Sequence, residues 1–330
     1  MSGRGGIPEA ALAEIRAGGQ VALATVIETW GSAPRPVGSQ LMIAGDGAMT
    51  GSVSGGCVEG AVVAEALDGL GRGDCRVLEF GVADEDAFAV GLACGGRIRI
   101  LVEPVGMGEG LPVTLLEELV ARRAARRPVA LRTRLSTWER RLVGAEDESA
   151  ARGFSTDRSA LSGDVFLAVH NPPLRLAIVG AVHIAQPLCT MARLAGHDVS
   201  LIDPRDSFAS EARFPGEVLI GDWPDAALSA LGLDARTAVV TLTHDPKLDN
   251  PAIETALRSD VFYLGCLGST RTHAKRVAHL EAAGFGAEDI ARIHAPVGLD
   301  IGAASPAEIA IAIMAELTER LRRPETRRTG

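Results

Sequence analysis

Aromatic side chains are scarce in this chain, with one tyrosine, three tryptophans and eight phenylalanines among 330 residues. Surfaces that take single-stranded nucleic acid stack bases on such rings, so the shortage argues against that class. A formal net charge of −9 argues the same way, because a polyanion needs a basic face. Arg122, Arg123, Arg126 and Arg127 do cluster, but a solvated helix face accounts for them. Cysteine is sparse and scattered at Cys57, Cys75, Cys94, Cys189 and Cys266. The count is odd and no pair has CxxC spacing, so neither a zinc knuckle nor a disulfide framework is signalled. Free thiols fit a reducing compartment, so a cytoplasmic protein is expected. No apolar run is long enough to span a bilayer, and Met1 to Ala17 lacks the basic and apolar segments of a signal peptide. No nucleic acid and no membrane are therefore expected as partners. GxSxG, HExxH and P-loop signatures are also missing, which sets back hydrolase and nucleoside triphosphatase readings.

What is present is apolar and small. Hydrophobic residues make up 47% of the chain and glycines number 38, enough for two closely packed domains. The breaker His170-Asn-Pro-Pro173 suggests a boundary, with one domain over 1–170 and a second over 171–330. The fold class expected is α/β: an N-terminal mixed α+β domain, then a C-terminal Rossmann-like, doubly wound domain with a mostly parallel sheet. In the first half Val21–Thr29, Gln40–Ala44, Ala48–Val53, Arg76–Phe80 and Arg97–Glu103 read as strands, and Leu111–Ala125 as a helix. Val129–Arg134 and Arg140–Val143 look like a strand pair, and polar Ala145–Ser162 like a surface loop. In the second half strands and helices alternate, with strands at Arg175–Val179, Asp198–Ile202, Glu217–Ile220, Ala238–Leu242 and Val261–Leu264. Such alternation builds a parallel sheet covered on both faces. Ser305-Pro-Ala-Glu308 has the form of a capping box and opens a last helix.

The densest chemical signal is Gly51-Ser-Val-Ser-Gly-Gly-Cys-Val-Glu-Gly60. It reads as a strand end, a glycine turn at Gly55 and Gly56, and a helix from Val58 to Leu70. Ser54 is placed to cap that helix, and its first-turn amides would form an anion site. Cys57 sits in the first turn, where the helix dipole lowers a thiol pKa, and Glu59 adds a carboxylate. A plain tight turn with a buried thiol explains the same residues. Upstream, Arg35 lies between two prolines on a stiff loop, a fixed fork for an oxyanion. Downstream, Cys94-Gly-Gly96 reverses the Gly-Gly-Cys order, and the two turns could meet at one site.

In open α/β sheets a ligand lies beyond the carboxyl ends of the strands. Here those ends are Gly180 to Ala185, Asp203 to Arg205, Thr243 to Asp245 and Gly265 to Ser269. Asp203 follows Gly180 at about the spacing of a ribose-binding acid, and Arg205 could reach a phosphate. His183 opens a helix there. His244 with Asp245 could handle protons, or could simply belong to a proline-rich turn. Asp300, between Gly298 and Gly302, is a ligand contact or a turn former. Val182 stands where a dinucleotide fingerprint has glycine, which speaks against ordinary NAD binding.

Several of these segments together resemble the XdhC/CoxI family of accessory factors for molybdenum hydroxylases. They are Gly31-Ser-Ala-Pro-Arg-Pro-Val-Gly38, the Gly51–Gly60 stretch and Cys94-Gly-Gly96 in the first half. Thr243-His-Asp-Pro-Lys247, Leu264-Gly-Cys-Leu-Gly-Ser269, Arg271-Thr-His-Ala274, Ala295-Pro-Val-Gly-Leu-Asp-Ile-Gly302 and Pro306-Ala-Glu-Ile309 follow in the second. The resemblance implies a non-catalytic carrier of the molybdenum cofactor (molybdopterin) that protects it while a cysteine desulfurase supplies the sulfido ligand. The carrier then delivers it to an apo molybdenum hydroxylase of the xanthine dehydrogenase type. A homodimer is expected. Taken with the residue-level reading above, the expected cofactor-binding residues are Ser32, Arg35, Ser54, Gly55, Gly56, Cys57, Glu59, Cys94 and Gly95 in the first domain. In the second they are Gly180, His183, Asp203, Arg205, His244, Asp245, Gly265, Gly268, Ser269 and Asp300. Cys57 and Cys94 are the candidate metal ligands. The competing reading is an NAD(P)-dependent oxidoreductase built on the Rossmann-like half.

Overall fold

A computed structural model describes residues 6–31, 33, 35–81 and 96–323. Ser32, Cys94 and Gly95 therefore lie outside the described residues. The chain divides into two compact units, Met1–Pro172 and Pro173–Gly330.

The first unit is built on β1 (Val21–Trp30), β2 (Gln40–Ala44), β3 (Met49–Gly51), β4 (Arg76–Phe80) and β5 (Arg97–Pro104). They form an antiparallel sheet in the order β3-β2-β1-β5-β4. β1 and β5 are mostly buried because both faces of the sheet are covered. On one face Ala22, Ala24, Val26, Ile98 and Ile100 pack against Val62, Ala66 and Leu70 of α2 (Glu59–Arg72). On the other, Leu23, Ile27 and Leu101 meet α1 (Ile7–Arg16) and α3 (Val113–Ala124). That second core continues into a four-stranded sheet of β6 (Val129–Arg134), β7 (Arg140–Val143), β8 (Ala160–Ser162) and β9 (Val165–His170), ordered β7-β6-β9-β8. The polar stretch 145–162, expected as a loop, holds α4 (Glu148–Thr156) and β8 instead. The Asp147 side chain accepts from the Ser149 N–H at 3.0 Å and starts the helix, while Ala150 supplies the buried anchor. One small apolar residue leaves almost no periodic signal in the sequence.

The second unit is a six-stranded, all-parallel sheet of β10 (Arg175–Val179), β11 (Asp198–Ile202), β12 (Val218–Ile220), β13 (Thr237–Thr241), β14 (Tyr263–Cys266) and β15 (Ile293–His294). Their order is β12-β11-β10-β13-β14-β15, which is the Rossmann order 3-2-1-4-5-6. Alternate residues of β10 serve opposite faces, as the pleat requires. Leu176 and Ile178 join Leu188 of α5 (Ala185–Leu194) and Ile313 of α10 (Pro306–Arg322). Ala177 and Val179 face the core of α6 (Pro224–Leu231), α7 (Pro246–Leu257) and α8 (Thr270–Ala282). The short α9 (Ala287–Ile290) precedes β15. The capping box at α10 forms as its sequence predicts, with the Ser305 hydroxyl accepting from the Glu308 N–H and Glu308 accepting from the Ser305 N–H. β14 runs two residues further than expected, so Gly265 lies inside a buried strand and not in a strand-end loop. A Cβ there would come within 2.5 Å of the Val297 side chain and 2.8 Å of the Tyr263 ring. Gly265 is thus a packing position, which removes it from the strand-end site.

Candidate functional site

Strand registers bring the loop after β1, the turn after β3 and the start of β5 to one end of the five-stranded sheet. Gln40 at the start of β2 pairs with Thr25, and Gly51 at the end of β3 pairs with Leu41. On the other side Trp30, the last residue of β1, pairs with Arg97, the first of β5. The loop 31–38, the turn after Gly51 and the chain entering β5 therefore share this end. A Cβ on Gly31 would sit 3.6 Å from the Gly96 Cα, so the two glycine-bearing loops touch. Arg35 is exposed on its loop.

The turn after β3 is organised around Glu59. Its Oε1 accepts from the Ser52 hydroxyl at 2.8 Å, the Val53 N–H at 3.2 Å and the Ser54 N–H at 2.9 Å. Its Oε2 accepts from the Ser54 hydroxyl and, at 2.9 Å, from the Gly56 N–H. The Gly55 N–H goes to the Ser52 hydroxyl and the Val58 N–H to the Ser54 hydroxyl, both at 2.9 Å. Gly55 and Gly56 hold φ of 74° and 113°, which turns these amides inward. Three expectations change as a result. The helix starts at Glu59 with Val58 as its N-cap, and Ser54 braces the approach without being the cap. The Glu59 carboxylate is buried and committed to the turn. The amides of Gly55 and Gly56, expected to face an anion, are already satisfied within the chain. Burial alone would raise the Glu59 pKa, but hydrogen bonds from Ser54 and Ser52 outweigh it and bring it to about 2. An internal carboxylate occupies the place an external anion would take.

Cys57 follows this turn and is exposed, whereas Cys75, Cys189 and Cys266 are buried. Burial pushes those three thiols up, to about 11, 12 and 11. Among the described cysteines, Cys57 alone presents sulfur to solvent. Among the described residues no group of three or more His, Cys, Asp or Glu side chains is placed to hold a metal ion, and Cys94 lies outside them.

In the second unit the strand order reverses between β10 and β13, the place where such sheets bind ligands. A cleft of about 610 Å³ opens there, lined by Val182, His183, Arg205, His244, Asp245 and Leu267 among others. Gly180, with φ 108°, lets β10 turn against β13, since a Cβ would fall 2.5 Å from the Thr243 methyl. His183 is exposed in the turn before α5. His244 is exposed at the cleft edge with φ 84°, an uncommon backbone state for a non-glycine residue. Asp245 turns its carboxylate to the Lys247 N–H at 2.9 Å as the N-cap of α7, which sets the start of that helix at Pro246. Ser269 does the same for α8, accepting from the Thr272 N–H beside Gly268. Asp300 is exposed in the loop before α10.

Asp203 lies at the end of β11 but faces inward. Its Oδ2 accepts from the Ala181 N–H at 2.8 Å and Arg205 Nη2 at 2.7 Å, and its Oδ1 from the Arg205 N–H at 3.0 Å and Nε at 2.8 Å. Burial opposes the charge, yet the Arg205 bonds hold the Asp203 pKa below the ordinary value. Asp203 thus works as a brace between two strand-end turns, and not as a free ribose acceptor.

Beneath the cleft runs a buried chain that sequence reasoning missed. The Thr243 hydroxyl accepts from the Asp245 N–H at 3.1 Å and donates to Asp249 Oδ1 at 2.6 Å. Asp249 Oδ2 lies 3.8 Å from Arg276 Nη2, which donates to the Leu267 carbonyl at 3.2 Å. Burial raises the Asp249 pKa more than Thr243 and Arg276 lower it. This chain ties the β13–α7 turn to the β14–α8 turn. Its one sequence signal was a charged residue on the inner face of each helix.

The fold and these sites define a two-part protein whose second half is a Rossmann domain with an open crevice at its switch point. Residues 14–81 match the XdhC and CoxI family, and residues 176–317 match the XdhC Rossmann domain. The chain is 30% identical over 307 residues to the Molybdenum cofactor insertion chaperone PaoD of Escherichia coli K12, covering 93% of this chain and 85% of that one. It is 26% identical to a probable xanthine dehydrogenase subunit from Bacillus subtilis 168, over 92% and 94% of the two chains. Its fold matches a crystal structure described as a xanthine dehydrogenase from Bacillus halodurans, with a TM-score of 0.73 and 24% identity over 98% and 97% of the chains. This chain belongs to the XdhC and CoxI family.

Proposed function

We propose that this chain carries a molybdenum cofactor as cargo, holds it while a cysteine desulfurase supplies its terminal sulfido ligand, and passes it to a xanthine dehydrogenase-type hydroxylase. The observation that carries this reading is the exposed Cys57 thiol at the sheet end where the loop 31–38 and the chain entering β5 meet. A thiolate is a soft ligand suited to molybdenum. Exposed Arg35 supplies a guanidinium for the anionic part of the cargo. The kinship with a cofactor insertion chaperone supports the same reading.

Cargo that is loaded and released needs exposed ligands on a rigid base. Cys57 has that base in the Glu59-centred turn, where every amide from Val53 to Gly56 is bonded. The test is anaerobic purification from a molybdenum-replete host, read by pterin fluorescence and metal analysis. The unmodified protein should retain pterin and molybdenum together, and Cys57→Ser should lose most of the metal while keeping its fold. Protein free of pterin under these conditions would overturn the proposal.

A further inference from the structure

We infer that the Rossmann crevice selects a ligand by a phosphomonoester met by Arg205, and rejects the free ribose diol that such crevices usually read. A carboxylate has about four acceptor sites, and Asp203 commits four to Ala181 N–H, Arg205 N–H, Nε and Nη2. Ribose hydroxyls arriving at the end of β11 find no acceptor left on it. What they find is Arg205, which lines the cleft with its side chain 35% exposed.

That guanidinium is fixed on two sides. Asp203 holds the edge made by Nε and Nη2, and the Phe208 ring lies under one face with its centroid 4.0 Å from Cζ. Nη1 makes no hydrogen bond to any described residue. Both Nη1 N–H groups, the second N–H of Nη2 and one cationic face therefore remain, set before a ligand arrives. These donors and their positive charge suit an oxyanion, and the Asp245 carboxylate in the same cleft is the counter-charge it must displace. Val182 puts a β-branched side chain where a pyrophosphate would need close backbone approach, so the matching anion is terminal, not a bridging diphosphate. Two sources share this chemistry: a 2′-phosphorylated nucleoside, or the phosphate of a pterin. The pterin source rests on the cargo reading above; the nucleotide source does not.

The test uses two probe pairs with the full chain in calorimetric titration: adenosine against adenosine 2′-phosphate, and 6-hydroxymethylpterin against its monophosphate. In at least one pair the phosphorylated member should bind tenfold or more tightly, and the pair that does so names the source. Arg205→Gln should abolish the preference. Phe208→Leu leaves the Asp203 contacts intact and should weaken the phosphorylated probe severalfold, which serves if Arg205→Gln unfolds. No preference in either pair, no binding at millimolar probe, or a preference that survives in both variants would overturn the inference. Retained pterin with no phosphate preference would defeat this inference and leave the cargo proposal standing.

Discussion

Arg205 closes on Asp203 through Nε at 2.8 Å and Nη2 at 2.7 Å, and this pair fixes the mouth of the Rossmann crevice. The same carboxylate also takes the Ala181 N–H, so it links the turn after β10 to the turn after β11. Asp203→Ala would leave a buried amide and a guanidinium without their acceptor. The expected loss is about 2–4 kcal/mol, read as a lower urea midpoint for the second unit. A midpoint unchanged within error would mean that water replaces the carboxylate without penalty.

Glu59 makes the first unit sensitive to acid. Its folded pKa, about 2, lies below the unfolded value. Its contribution to stability is therefore complete above about pH 4.5 and is lost as pH falls from there through 2. The size is on the order of 2–3 kcal/mol. Glu59→Gln should lower the melting temperature at pH 7 and flatten its pH dependence below 4.5. Equal slopes for the two proteins in that range would show that Glu59 is not the group responsible.

The parallel sheet is legible in the sequence because β10, β11 and β13 are short apolar runs separated by helical periods. The glycine turn before α2 is legible as a turn, but its polarity is the reverse of the one expected. Sequence spacing shows that Glu59 can reach the amides of Ser54 and Gly56, and does not show whether it turns in or out. Hydrogen-bond demand decides it: the amides of Val53, Ser54 and Gly56 need acceptors, and the Glu59 carboxylate serves all three. Helix caps escape notice for a related reason. Asp245 and Ser269 stand in motifs that suggest ligand binding, while each gives its side-chain oxygen to a helix amide. Contacts between residues far apart in sequence leave no trace at all. Glu316 in α10 accepts from the Tyr263 hydroxyl at 2.7 Å and the Gly298 N–H at 2.8 Å and sits 3.0 Å from His294 Nδ1, a buried network spread over more than fifty residues.

Thiol chemistry should separate Cys57 from the other described cysteines. Cys75, Cys189 and Cys266 are buried, and burial raises their pKa values to about 11 or above. Both effects suppress alkylation at neutral pH. Iodoacetamide at pH 7.5 should label Cys57 at least tenfold faster than these three, as followed by peptide mass spectrometry. Labelling of Cys189 at a comparable rate in folded protein would contradict the packing described for α5.

At Val182 one side chain separates this Rossmann fold from ordinary dinucleotide binding. The position lies between Gly180 and His183 in the turn before α5, and its side chain packs on the adjoining core. A pyrophosphate needs backbone amides approached without a Cβ at this point. Val182→Gly should raise affinity for NADP about tenfold or more. The gain should be smaller for NAD, since Asp203 stays occupied by Arg205 in both proteins. Loss of the apolar contact and the added chain freedom should cost about 1–2 kcal/mol of stability. Titration of both proteins with NAD and NADP, paired with urea unfolding, separates the two effects. Tight NAD binding by the unmodified protein would show that Val182 does not obstruct the turn, and would bring the oxidoreductase reading forward.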